Sequence, residues 1–169
     1  SIDVLWQPFL LGPIYQDAGY GGSPNLIAPA KAAYMWADIG RRASSRGIGF
    51  VRPKVFPQRS IAAARAVLGL GADQRPAFTR AVFCETFVSG RDIAEPDVIA
   101  SAARAAGLDP EQILANTSDP AIKQELFSAV ERAKAHGIFG APSFTTSDGT
   151  LFWGDDRLDD AFLWERKAQ

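Results

Sequence analysis

The chain has 169 residues, of which 47% are hydrophobic and 22% charged, with 18 Lys and Arg against 19 Asp and Glu. A chain of this length suits one domain, or one domain with an insertion, and can bury roughly 70% of its unfolded surface. No apolar run approaches the roughly 20 residues a bilayer requires, no secretory signal pattern is present, and the near-neutral charge gives no nucleic-acid footprint; the expectation is a cytoplasmic globular protein without membrane or nucleic-acid partners. One cysteine and one histidine rule out an intramolecular disulfide, a Cys-x-x-Cys pair and a Cys/His metal cluster.

In chain order, Ile2 to Phe9 reads as a buried strand and Gly12 to Pro29 as an irregular loop rich in glycine and proline. Pro29 opens a helix with Tyr34, Met35, Ile39, Arg42 and Ala43 at helical spacing, ending at Gly47. Lys31 lies in its first turn, where a cation opposes the helix dipole; it is either turned to a ligand or simply solvated. Ile48 to Pro57 carries too many prolines for a central strand and reads as an extended connection. A short helix follows from Ser60, a candidate N-cap, to Gly69. A third runs from Arg75 to Val88, with Phe78, Val82, Phe83 and Phe87 on one side and Cys84 read as a buried core thiol. Two more helices span Pro96–Ala106 and Pro110–Asn116, the second capped by Asp109.

Asp119-Pro120 repeats that start signal, and Ile122, Leu126, Ala129, Val130 and Ala133 mark an amphipathic helix to His136, a C-terminal cation favoured by the dipole. The next stretch, Gly137-Ile138-Phe139-Gly140-Ala141-Pro142-Ser143-Phe144, turns at glycines and enters a strand through a proline, a position suited to a cis bond. It leaves the peptide of Ala141 free for a ligand. Residues 144–146 and 150–153 form a hairpin around Ser147-Asp148-Gly149. Asp155 or Asp156 then caps a last helix whose apolar side carries Leu158, Ala161, Phe162 and Trp164.

Helix, proline, hairpin and helix resemble the second half of a thioredoxin fold. Pro8 to Ile14, Pro29-Ala30-Lys31 with Tyr34-Met35-Trp36 and Asp38, Phe56-Pro57, Arg91-Asp92-Ile93, Gly107-Leu108-Asp109, the proline loop and Phe152 to Leu158 resemble, in this order, the 2-hydroxychromene-2-carboxylate isomerase family. Those are glutathione-dependent relatives of the kappa-class glutathione transferases. The resemblance implies an α/β, thioredoxin-like fold, discontinuous over 1–18 and 119–169, with a helical subdomain inserted over 19–118. It also implies a first β-α unit, on the order of thirty residues, ahead of Ser1. A serine there would donate to the glutathione sulfur, so the catalytic residue is left unassigned in this sequence.

By the same resemblance glutathione would be held by Ala141, Pro142, Trp153, Gly154, Asp155 and Asp156, with its γ-glutamyl ammonium at the two aspartates and Asp156 ahead of Asp155. Helix capping is the competing role for both. Lys31 and Arg59 are the candidates for a substrate carboxylate, because Arg59 stands where family members commonly carry asparagine and offers five donors in a fork. Gly21 stands at a second such asparagine position. The implied reaction is glutathione-dependent cis/trans isomerisation of a ring-opened aromatic pyruvate, with a homodimer left open. A DSBA-like disulfide oxidoreductase or glutathione transferase, and a noncatalytic glutathione or thiol-peptide binder, are the alternatives; a Cys pair, a serine motif or neither ahead of Ser1 separates them.

Overall fold

The computed structural model describes residues 2–20 and 28–168; Gly21 and most of the glycine-rich connection after Tyr20 lie outside them. Eight α-helices run through the described residues: α1 (Leu11–Asp17), α2 (Pro29–Ser45), α3 (Ile61–Leu68), α4 (Arg75–Phe87), α5 (Pro96–Ala105), α6 (Pro110–Ser118), α7 (Pro120–Ala135) and α8 (Leu158–Ala168). Between α7 and α8 lie two strands, β1 (Ser143–Thr145) and β2 (Leu151–Trp153), and a 3-10 turn, Asp155–Arg157. The strands pair antiparallel, Ser143 opposite Trp153 and Thr145 opposite Leu151.

Helix starts follow local chemistry where an Asp-Pro pair supplies it. Asp109 accepts from the N–H of Glu111 at 3.0 Å, and Asp119 from Ala121 and Ile122, satisfying donors that a helix leaves orphaned. Ser60, by contrast, makes no side-chain cap. The main core is shared by α3, α4, α5 and α6 around Phe78, Ile99 and Ile113, each at most 1% exposed. Alanines 63, 66, 102 and 103 line the same core and let the helix axes approach closely. A smaller cluster of Ala64, Leu68 and Leu126, flanked by Leu10 and Ile122, fastens α7 and the first residues onto α3.

Several sequence expectations are corrected. Residues 2–9 form no strand: the only ladder among the described residues is the hairpin, and Val4 and Leu5 are 56% and 72% exposed. Side chains hold this segment instead. The Arg75 guanidinium donates to Trp6 O at 3.4 Å and Gln7 Oε1 at 3.3 Å, while Arg80 lies 5.9 Å over the Trp6 ring. The expected loop after Leu10 begins with helix α1, because Pro13 falls in the first turn, where its missing N–H costs nothing, and Ile14 is buried. Its end is set by Gly19 at φ +78°.

On α4 the inward face is Phe78, Val82 and Thr86, at i, i+4 and i+8. Cys84 stands two residues off that line and is exposed, so it is not a core thiol. Phe83 is exposed for the same reason, and buried Thr86 returns its hydroxyl to Val82 O at 3.2 Å. On α2 the buried residue is Trp36, with Tyr34 and Ile39 outside; Trp36 packs edge-on against Phe56 at 4.8 Å and stacks near Phe50 at 6.2 Å. The motif Arg91-Asp92-Ile93 serves packing: the Gln58 amide donates to Arg91 O and accepts from Ile93 N, fastening the 48–59 connection to the start of the next helix.

At the hairpin, Asp148 accepts from the Thr146 hydroxyl, the Trp164 indole at 2.9 Å and the Thr150 N–H, which together hold its carboxyl well below the usual carboxylate range. A carboxyl depressed on folding contributes fully above its unfolded pKa and loses that contribution as pH falls towards its folded value. The expected outcome is a hairpin–α8 junction that keeps its Trp164 contact through mildly acidic pH and loosens only below the ordinary aspartate range. In Asp148→Asn, near-ultraviolet dichroism of the tryptophans should report the loosening already at neutral pH; an unchanged spectrum would show that the carboxylate is dispensable.

Candidate ligand site at the proline loop

Helix α7 ends where Gly137, at φ +69°, passes its N–H to Lys134 O and the N–H of Ile138 returns to Ala133 O at 3.0 Å. The chain then presents Phe139, buried Gly140 and the Ala141–Pro142 peptide, which is cis as the sequence suggests. Two bonds hold the loop around that peptide. Ser143 Oγ donates to Gly140 O at 2.8 Å, and Gly154 N donates to Pro142 O at 3.0 Å. The N–H and C=O of Ala141 meet no partner among the described residues, and Ala141 itself is exposed.

The Trp153 indole lies directly on Gly140, where any Cβ would collide with its Nε1, Cδ1 and Cε2. Glycine at 140 is therefore required for the indole to reach the loop, and Phe139 closes the other side with ring centroids 5.1 Å apart. Trp153 remains 52% exposed, an aromatic face beside the free peptide of Ala141. Gly154, at φ +108°, then makes a turn that L side chains rarely adopt, bringing Asp155 and Asp156 round beside β2.

The expected capping role of these aspartates is not what the structure contains. Gly154 occupies the N-cap position, with both aspartates inside the first turn. Asp155 is engaged across the fold: its Oδ2 accepts from Arg42 Nη2 at 2.7 Å and from Arg46 Nη1 at 3.4 Å, joining α2 to the turn. Sequence reasoning missed both arginines as site neighbours, since basic residues near a helix end name no partner. Among the described residues Asp156 pairs only with its neighbour Arg157, at 3.6 Å, and Arg157 turns its shorter contact to Asp160 at 3.0 Å. Asp156 thus keeps acceptor capacity beside the loop. Lys31 and Arg59, on α2 and on the connection after Pro57, are exposed and have no acidic partner among the described residues. His136 caps α7 at the surface, and no described group of three or more His, Cys, Asp or Glu is placed to hold a metal.

The family described as the DSBA-like thioredoxin domain matches residues 1–161. The 2-hydroxychromene-2-carboxylate isomerase of Sphingobium xenophagum is 31% identical over 140 residues, 83% of this chain and 70% of that protein. This chain belongs to the 2-hydroxychromene-2-carboxylate isomerase family of DSBA-like thioredoxin domains. Homo sapiens glutathione S-transferase kappa 1 is 27% identical over 173 residues, 94% of this chain and 76% of the relative. A solved structure of 2-hydroxychromene-2-carboxylate isomerase superposes with a TM-score of 0.82 at 23% identity, covering 96% of this chain and 77% of that one. The fold is therefore the DSBA thioredoxin-like one, mostly helical with a small sheet. Within this family the relatives named here are an isomerase and a transferase.

Proposed function

We propose that this chain is a glutathione-dependent isomerase acting on a ring-opened aromatic pyruvate of the 2-hydroxychromene-2-carboxylate type. The observation that carries the reading is the exposed peptide of Ala141, which meets no partner among the described residues, on a loop that holds the Trp153 indole at Gly140 and bonds the Gly154 turn leading to Asp156. Such a peptide can exchange two hydrogen bonds with an extended ligand backbone, as an added strand does at a sheet edge. An ammonium two or three residues along that backbone needs an unengaged carboxylate. Asp156 fits that need better than Asp155, whose Oδ2 is already committed to two guanidiniums. The contact set suits the γ-glutamyl peptide of glutathione, which when bound would supply a thiolate able to add to a conjugated double bond and leave again, with no net redox change.

The chain's own residues do the holding. Ala141 and Pro142 orient the peptide, Trp153 covers it, the Gly154 turn brings Asp156 to the ammonium, and Lys31 or Arg59 receives the substrate carboxylate. Charge-assisted contacts of this kind contribute roughly 1 to 3 kcal/mol. In Asp156→Asn, glutathione affinity measured by titration calorimetry should fall by about 5- to 150-fold, with the melting temperature hardly moved. Unchanged affinity would sink the assignment of Asp156. Binding without any turnover of the aromatic pyruvate would favour a glutathione binder or a transferase instead.

A further inference from the structure

The near-neutral charge of the whole chain conceals a strong segregation. Residues 38–59 carry Arg41, Arg42, Arg46, Arg52, Lys54 and Arg59 against a single acid, Asp38, leaving the remainder of the chain with 12 basic and 18 acidic residues. Folding does not neutralise this stretch. Asp38 pairs with Arg41 at 3.0 Å, Asp155 is shared by Arg42 and Arg46, and Arg52, Lys54 and Arg59 find no acidic partner among the described residues. Paired and unpaired groups together leave an excess of positive charge on the C-terminal half of α2 and the connection beside it.

Arg52 differs from the other unpaired cations in being held. Its guanidinium lies 5.2 Å from the centroid of the Trp36 ring, and Trp36 is fixed by Phe50 and Phe56. An arginine spread on a buried indole loses little further rotamer freedom when its N–H fork meets a carboxylate. Trp36 and Arg42 belong to one helix and Arg46 caps its C-terminal end, and Asp155, which both arginines meet, adjoins the Gly154 turn that bonds Pro142. Helix α2 therefore backs Arg52 through Trp36 and meets the Gly154 turn through Arg42.

We infer that this basic, aromatic-backed face receives the anionic acceptor substrate, and that Arg52 on Trp36 joins Lys31 or Arg59 at its carboxylate and selects a carboxylated aromatic over its neutral counterpart. This rests on the reading of the proline loop as the glutathione site, since Arg52 serves the second substrate of that site. The discrimination belongs to a planar, prepositioned fork, while the surrounding excess charge raises the encounter rate of anions in a salt-dependent way.

The probes are benzylidenepyruvate, an aromatic 2-oxo acid with a conjugated double bond, and its methyl ester. Binding of each is measured by calorimetry to the wild type, Arg52→Gln and Arg52→Lys, with glutathione itself as a separate ligand. The expected result is a 10- to 100-fold loss of benzylidenepyruvate affinity in Arg52→Gln, partial recovery in Arg52→Lys, and ester and glutathione binding unchanged. The wild-type preference for the acid over the ester should also shrink as salt rises from 0.05 to 0.5 M. Equal losses for acid and ester, or none for either, would overturn the role of Arg52. Loss of acid binding in Arg52→Gln together with a wild type that does not bind glutathione would uphold the anion face and remove the glutathione reading.

Discussion

Replacing Phe78 with alanine is expected to cost about 3–5 kcal/mol, the range for emptying a fully buried aromatic site. Phe78 is 0% exposed at the centre of the α3–α6 core, so its ring has no route to solvent and little room for neighbours to collapse into the void. In a chain of this size the melting temperature should fall by roughly 10 °C, at about 2–4 °C for each kcal/mol. Phe83, five residues on and 54% exposed, is the control. Its replacement by alanine should change stability by less than about 1 kcal/mol, since little area is withdrawn from water there. Comparable losses at both positions would mean that the inward face of α4 is not the one through Phe78, Val82 and Thr86.

Omitting glutathione is expected to reduce isomerisation of 2-hydroxychromene-2-carboxylate to the uncatalysed rate, because this chain's one cysteine, on the outer face of α4, is no substitute nucleophile at the proline loop. The assay follows the absorbance change on cis/trans conversion with the protein alone, with glutathione, and with S-methylglutathione. The S-methyl compound keeps the backbone and ammonium contacts but has no thiol to ionise, so it should bind and inhibit. Equal turnover without glutathione would remove the cofactor from the proposal; reduction of insulin disulfides by the protein would replace it with an oxidoreductase. Cys84→Ala should leave the glutathione-dependent rate unchanged.

Much of the helical order was legible in the sequence because its signals are local. Asp109-Pro110 and Asp119-Pro120 each join a carboxylate acceptor to a residue that needs no N–H partner, and both start helices where expected. The hairpin follows from Asp148-Gly149, with Gly149 at φ +84°. The periodicity of Leu126, Ala129, Val130 and Ala133 gave the correct inward face of α7. On α4 it placed Phe78 and Val82 correctly and Phe83 wrongly, and on α2 it missed Trp36, because both faces of those helices carry apolar residues. Only neighbours in space decide that Trp36 rather than Tyr34 turns inward, and that Phe83 does not join Val82.

The candidate site divides in the same way. The run from Gly137 to Pro142 and the Gly154-Asp155-Asp156 turn are set by residue type alone, since glycine tolerates backbone angles and contacts that a Cβ forbids. The separate uses of the two aspartates are not. Adjacent and identical in type, they part because Arg42 and Arg46, 113 and 109 residues away in sequence, reach Asp155 and leave Asp156 beside the loop. Likewise composition reports a chain of net charge −1, while the Arg52 guanidinium over the Trp36 ring depends on α2 and the 48–59 connection meeting in space. The sequence by itself determined where the backbone turns and which helices start, because those interactions span four residues or fewer. Tertiary structure alone decided which face is buried and which charge is spent, because burial and Coulomb pairing act through space between segments distant along the chain.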